Sequence, residues 1–302
     1  MTSILIIGSK GFIGKHAEDY FSALDNVEVN GADIVIDYNK PNYHIIDPST
    51  SDFKNVFKSH SFDFCINCSG AANVSQSMTK PSRDYYLNTF NVFKILEAIR
   101  VTNNNCKFIN LSSAAVYGNP NSLPISETEV THPISPYGWH KLQSEMLCKE
   151  FFEQFEIPTI SLRIFSVFGP GLKKQLFWDL YKKALGNEEI ELWGTGNESR
   201  DFIYISDLIK VIHIIIEHGA FKGEAINVSN GEEIFINDAV KYFYSSFDKK
   251  IKYRFKGNHR PGDPNNWKAN IEMLKGLGYK QEVPFEKGLD YYYQWVQTQT
   301  LS

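Results

Sequence analysis

The chain has no long apolar run, no basic excess and few cysteines, and each absence excludes a class of function. A membrane-spanning helix needs about 18 to 20 apolar residues. The longest candidate here, Leu208 to Ile216, is interrupted by Lys210 and His213. Among 302 residues, 31 Lys and Arg stand against 35 Asp and Glu, a formal net charge of −4. Nucleic-acid binders usually carry a strong basic excess, so none is expected as a partner. The first residues enter an apolar strand pattern without the charged head and long apolar core of a signal peptide, so a cytoplasmic location is expected. No repeat and no low-complexity tract occurs. The four cysteines are Cys65, Cys68, Cys106 and Cys148. The Cys65/Cys68 spacing invites a zinc or redox reading. However, the pair lies in an apolar run, Phe62 to Cys68, that reads as a buried strand. Residues three apart on a strand face opposite ways. No second Cys/His pair stands at zinc spacing, so no metal is expected.

What is present is a strand–glycine–helix unit at the start. Ser3 to Ile7 is continuously apolar, as in a strand buried on both faces. Gly8, Gly11 and Gly14 follow in G-x-x-G-x-x-G spacing, and Lys15 to Leu24 reads as helix. Gly8 allows the turn, Gly11 lets backbone approach a pyrophosphate at the helix N-terminus, and Gly14 allows close helix–strand packing. Val27 to Asp33 reads as a second strand ending in an acid, about 20 residues past the turn, where a ribose-binding carboxylate is expected. Asp33 favours NAD. Asp37 is its rival if the strand runs longer, and Lys10 keeps NADP open because it could pair with a 2′-phosphate.

Further strands are expected at His44 to Asp47, with Asp47 placed to reach the adenine, and at Asp63 to Cys68, Lys107 to Leu111 and Thr159 to Ile164. Helices are expected at Asp52 to His60 and Ser82 to Thr102. This alternation predicts an α/β fold with a doubly wound parallel sheet of the Rossmann type. After Gly169-Pro170-Gly171 the alternation stops. A smaller mixed α/β lobe is expected, with helix at Ile205 to Glu217, a short strand at Ile226 to Val228 and a final helix at Asp290 to Gln297. The division is residues 1–165 for the dinucleotide domain and 166–302 for the substrate lobe, with a segment near 203–228 packing back on the first domain.

Tyr137 and Lys141 stand four apart, just after Pro136, which suits a first helical turn. On a helix they share a face. A cation beside a phenol favours the phenolate, so the pair can handle a proton near neutral pH.

Taken together, these motifs resemble the extended short-chain dehydrogenase/reductase family, in its nucleotide-sugar epimerase/dehydratase branch. The resemblance covers Gly8 to Gly14, Asp33, Ser69 to Ala72, Asn88, Ser112 to Gly118, Tyr137/Lys141, Arg163 to Gly171, Arg200 to Phe202 and Arg260 to Asp263. It implies Tyr137 as general acid/base on a sugar hydroxyl and Ser113 on the same oxygen. Lys141 would hold the nicotinamide ribose and lower the tyrosine's pKa. It places Gly8, Gly11, Phe12, Ile13, Gly14, Asp33, Asp47, Ser69, Gly70, Ala71, Asn88 and Phe165 at the cofactor. A nucleotide diphosphate sugar would meet Ser112, Ser113, Ser166, Arg200, Arg260 and Asp263. It also implies a homodimer through the helices that follow Asn88 and carry Tyr137, with the apolar Phe93, Leu147 and Phe151 serving that contact or packing on the sheet. Two departures bear on the reaction. Ala114 and Ala115 stand where the family's 4,6-dehydratases carry an Asp-Glu pair, so a dehydratase is not expected. Ser166 replaces a substrate-contacting Asn. The expected reaction is 4-epimerisation. A 4-keto-6-deoxyhexose reductase is the enzymatic alternative and a redox-inactive nucleotide-binding regulator the non-enzymatic one.

Overall fold

The computed structural model describes residues 1–103, 105–186, 189–258 and 260–299. The first half runs β1 (Thr2–Ile7), α1 (Phe12–Phe21), β2 (Val27–Asp33), β3 (Tyr43–Ile45), α2 (Lys54–Ser59), β4 (Phe64–Asn67), α3 (Val74–Thr79) and α4 (Pro81–Tyr85). A π-helical turn (Tyr86–Phe90), α5 (Asn91–Thr102), β5 (Lys107–Ser113), α6 (Pro136–Phe155) and β6 (Thr159–Ile164) follow. The second half has shorter pieces: β7 (Ser166–Phe168), α7 (Gln175–Gly186), β8 (Glu189–Leu192), β9 (Ser199–Arg200), β10 (Phe202–Tyr204) and α8 (Ile205–His218). It ends with β11 (Lys222–Val228), β12 (Ile234–Phe235), α9 (Ile236–Ser245), β13 (Lys252–Phe255), α10 (Glu272–Gly276) and α11 (Phe285–Gln297).

Seven strands form one parallel sheet in the order β11-β6-β5-β4-β1-β2-β3. The doubly wound sheet is therefore as expected. Strand order reverses between β1 and β4, which opens a crevice beyond their C-terminal ends, the place where such sheets take ligands. Both faces are covered. Leu5, Ile7 and Phe108 pack in the core with α2 and α5, and Ile4, Ile6, Ile109 and Leu111 pack in the other with α8. Cys65 belongs to the first core and Cys68 packs against the second, so the strand does separate the two thiols. Strands β7 with β10, β9 with β12 and β8 with β13 form three two-stranded sheets beside the main one. Helix α8 returns to α1, where Tyr20 Oη and His213 Nδ1 lie 2.8 Å apart.

Three elements differ from expectation. The long helix expected from Ser82 starts at Pro81 and is broken by the π-helical turn, which turns Asn88 inward. The third strand stops at Ile45, so Asp47 lies in the following turn. The last helix begins at Phe285, not Asp290. Gly288 makes that possible, because a Cβ there would lie 2.8 Å from the Phe168 ring and 2.9 Å from the Tyr204 ring.

Candidate active site

The crevice floor is the glycine turn. Gly8 has φ +82 and donates to Ala32 O at 2.7 Å. A Cβ on it would lie 2.7 Å from Ser69 N, and one on Gly14 would lie 2.1 Å from Gly8 O. These contacts bring α1, β1 and the loop after β4 closer than any side chain allows. Gly11 caps α1 with no side-chain hydrogen bond, leaving the first-turn N–H groups to an anion. Phe12 and Ile13 are half-buried beside it, and His16 Nε2 reaches Pro170 O at 2.8 Å. At the end of β2, Asp33 accepts from Lys10 N at 2.9 Å and from Val35 N at 3.2 Å. A cradle shut to Cβ atoms, an uncapped helix start and a carboxylate fixed at the second strand together fit a dinucleotide.

Three residues expected at the cofactor have side chains engaged within the chain. Asp47 is exposed and its Oδ1 accepts from Ser49 N at 2.8 Å and Ser49 Oγ at 2.7 Å, so it caps its own turn. Asn88 spends its amide on the loop: Oδ1 accepts from Ala71 N at 3.2 Å and Nδ2 donates to Ala71 O at 3.0 Å. It shapes Ser69, Gly70 (φ +117) and Ala71 and does not reach past them. Phe165 is expected there through its backbone or its ring; the ring is buried between Tyr117 and Trp267, and the backbone N–H meets Val228 O.

The proton-handling group is built where β5 ends and α6 begins. Ser135 caps α6 by accepting from Gly138 N at 3.2 Å, Pro136 takes the first turn, and Tyr137 N donates to Ser77 Oγ at 3.1 Å. A Cβ on Gly138 would lie 2.5 Å from Ala115 O, so the helix start sits hard against the turn after Ser113. That contact brings Ser113 close enough to the Tyr137 phenol to oppose the rise of its pKa. Lys141 Nζ donates to Leu111 O at 2.8 Å. Cys68, next to the Ser69 loop, lies within electrostatic range of Lys141.

Burial pushes the Tyr137 phenol up to about 12, with Ser113 opposing and Asp84 adding to the rise. Burial pulls Lys141 down to about 8, while Asp84 and Glu145 hold it up. The expected lowering of Tyr137 by Lys141 does not appear: burial dominates the phenol, and Lys141 Nζ is turned to the Leu111 carbonyl.

Ser112 does not face the crevice. It is buried and donates to Glu145 Oε1 at 2.5 Å, because adjacent strand residues face opposite ways and only Ser113 faces the crevice. Ser166 starts β7 half-buried, with its N–H on Asp201 O at 3.0 Å. Arg200 donates to Ser199 O at 2.7 Å and Asn265 O at 3.1 Å and lies over the Trp267 ring. Asp263 lies near both Arg200 and Arg260. Desolvation raises its carboxyl and the two guanidiniums draw it back down. A Cβ on Gly262 would lie 2.8 Å from Val74 Cγ1 and 3.3 Å from Ser135 Cβ. The loop with both Arg260 and Asp263 therefore rests on the cap of the Tyr137 helix. Phe151 is 1% exposed and packs in the core, the alternative to the dimer face. Phe93 and Leu147 do line an outer groove, with Tyr85, Phe90 and Met146.

Two residues were missed. Asp84 is buried, with His140 Nδ1 2.6 Å from its Oδ1. Glu145 stands four after Lys141, a spacing that puts it on the catalytic face of α6.

A sequence model of the NAD dependent epimerase/dehydratase family matches residues 4–229. A putative UDP-glucose 4-epimerase of Methanocaldococcus jannaschii is 26% identical over 306 residues, covering 97% of this chain and 98% of that one. The UDP-N-acetylglucosamine 4-epimerase of Methanobrevibacter ruminantium, solved with UDP-N-acetylmuramic acid, is 27% identical with TM-score 0.87 and 99% of each chain covered. The UDP-glucuronic acid 4-epimerase of Bacillus cereus, solved with UDP-glucuronic acid and NAD, is 27% identical with TM-score 0.89, covering 98% of this chain and 99% of that one.

Proposed function

The chain belongs to the NAD-dependent epimerase/dehydratase family, and on that premise we propose that it is a nucleotide-hexose 4-epimerase, with uridine diphosphate sugars the first substrates to try. The observation that carries this is the contact of Ser113 with Tyr137 at the helix start pinned by Gly138, beside the glycine cradle. NAD, when bound, supplies a hydride acceptor that can return the hydride to the same carbon. The protein handles the proton. Tyr137 stays protonated at neutral pH and donates to the sugar oxygen. Ser113 hydrogen-bonds that oxygen and steadies its charge. In the opposite direction the phenolate form of Tyr137 must take the proton of the sugar hydroxyl, and a charged Lys141 nearby would favour that form. Arg200 and Arg260 meet the diphosphate, since a guanidinium fork matches phosphate oxygens.

Elimination of water would need a further acid/base pair, and the family's positions for it hold buried Ala114 and Ala115. A dehydratase is therefore disfavoured. A 4-ketoreductase uses the same triad, and Ser166, too short to reach as far as an Asn, is the residue that favours it. Retention of both Tyr137 and Lys141 argues against a redox-inactive regulator. A homodimer through the groove of Phe93, Met146 and Leu147 belongs to the same proposal. The test is purified protein with nucleotide hexoses and no added cofactor. Interconversion of C4 epimers is expected. Turnover only after a 4-keto sugar and a reduced dinucleotide are supplied would replace the epimerase with the reductase.

The Lys141 value also sets a pH dependence. Its ammonium is lowered from the ordinary lysine range to about 8, so charge is present below that pH and lost above it. kcat/KM should fall as pH rises through about 8. Lys141→Arg, which keeps its charge, should move that limb upward even if its absolute rate is lower. A wild-type profile flat across this range contradicts a role for the charged form.

A further inference from the structure

We propose that Asp37 is the residue that holds the dinucleotide site to NAD, and that it does so by disarming Lys10. The inference rests on the dinucleotide cradle, not on the reaction at the sugar. Lys10 leaves the glycine turn with its N–H on Asp33 Oδ2, so its side chain starts beside the carboxylate fixed at the end of β2. An ammonium rooted there is placed to partner a phosphate on the ribose 2′-oxygen. It is engaged instead. Lys10 Nζ lies 2.6 Å from Asp37 Oδ2 and 4.9 Å from the centre of the Tyr43 ring.

Asp37 is held in that position by its loop. Tyr43 Oη donates to Val35 O at 2.5 Å, two residues before Asp37, and Lys40, three residues after it, pairs with Glu18. Glu18 in turn is buried against Gly31 of β2. Both ammoniums at this end of the sheet thus face a carboxylate already. With Asp33 included, three carboxylates stand against two ammoniums. An incoming 2′-phosphate would have to pull Lys10 off Asp37, or remain uncompensated beside Asp33. Asp33 alone would only repel that phosphate; Asp37 takes away the cation that could otherwise welcome it. The lysine in the glycine turn, which reads as an NADP signal in the sequence, is silent for this reason.

Calorimetric titration of the full chain with NAD and with NADP tests this. Asp37→Asn should tighten NADP by about tenfold or more, the scale of one charge-assisted hydrogen bond to phosphate. NAD affinity should change by less than about threefold, since Asp37 makes no contact in the cradle. Adding Lys10→Met to Asp37→Asn should abolish the gain. An unchanged NADP-to-NAD ratio in Asp37→Asn, or a gain that survives the loss of Lys10, overturns the proposal. Should Asp37→Asn fail to fold, Lys10→Met alone decides. With Lys10 silent, that variant binds NADP as the wild type does, and a clear weakening would show Lys10 already at work. Failure of the wild type to bind either dinucleotide would overturn the cradle itself, and this inference with it.

Discussion

Arg163→Met should destabilise the protein by about 3–5 kcal/mol, the cost of leaving one partner of a buried ion pair behind. Arg163 on β6 and Glu145 on α6 have side chains only 9% and 8% exposed. Arg163 Nε donates to both carboxylate oxygens at 3.1 Å and Nη2 to one of them at 2.8 Å. Its Nη1 reaches Tyr117 Oη at 2.8 Å and Glu127 O at 3.0 Å. From Tyr117 the chain of bonds runs to Asn227 Oδ1 at 2.7 Å, and Asn227 Nδ2 donates to Ile125 O at 2.9 Å. One guanidinium thus joins β5, α6, β6, β11 and the long loop before α6. Methionine fills much of the space but strands the Glu145 charge in the core, with Ser112 as its remaining donor. The double variant Arg163→Met/Glu145→Leu should recover much of the loss, because removing both charges also removes their desolvation cost. Urea denaturation reads both. A single variant within about 1 kcal/mol of wild type would mean that the pair is far less buried than its geometry indicates.

That network also marks the limit of what the sequence could reveal. The glycine turn, the apolar run of β1 and the Pro136 helix start are local signals, and all three lie where expected. Pairing over long separations has no local signature. Glu145 and Arg163 look like two ordinary charges on α6 and β6, and Ser112 and Ser113 are alike until the fold shows which face meets the crevice. Phe151 reads equally well as an exposed or a core residue, because helical periodicity marks an apolar stripe without naming its partner. The π-helical turn was illegible for another reason. The turn holds Asn88, whose side chain meets Ala71, a contact 17 residues away that has no local signature. Asp84 carries no local signal, because a single acid on an expected long helix reads as solvated surface. The fold buries it against His140, within electrostatic range of Tyr137 and Lys141.

Tyr137→Phe bears most directly on the centre of the account. The substitution removes one oxygen from a ring that is 9% exposed and leaves its packing in place. The backbone N–H of residue 137 still meets Ser77 Oγ, and Ser135 still caps the helix. What disappears is the hydroxyl that lies beside Ser113 and stays protonated at neutral pH. General acid–base catalysis by a positioned group is worth about a hundred- to ten-thousandfold. Turnover of a nucleotide hexose should fall by that factor. Affinities for NAD and for the nucleotide sugar should stay within about threefold, as expected when only a transition-state interaction is lost. Steady-state rates and calorimetric titration on the same preparation measure both. Collapse of turnover with binding intact is the predicted result; a phenylalanine variant that turns over at the wild-type rate would contradict the assignment of the proton to Tyr137.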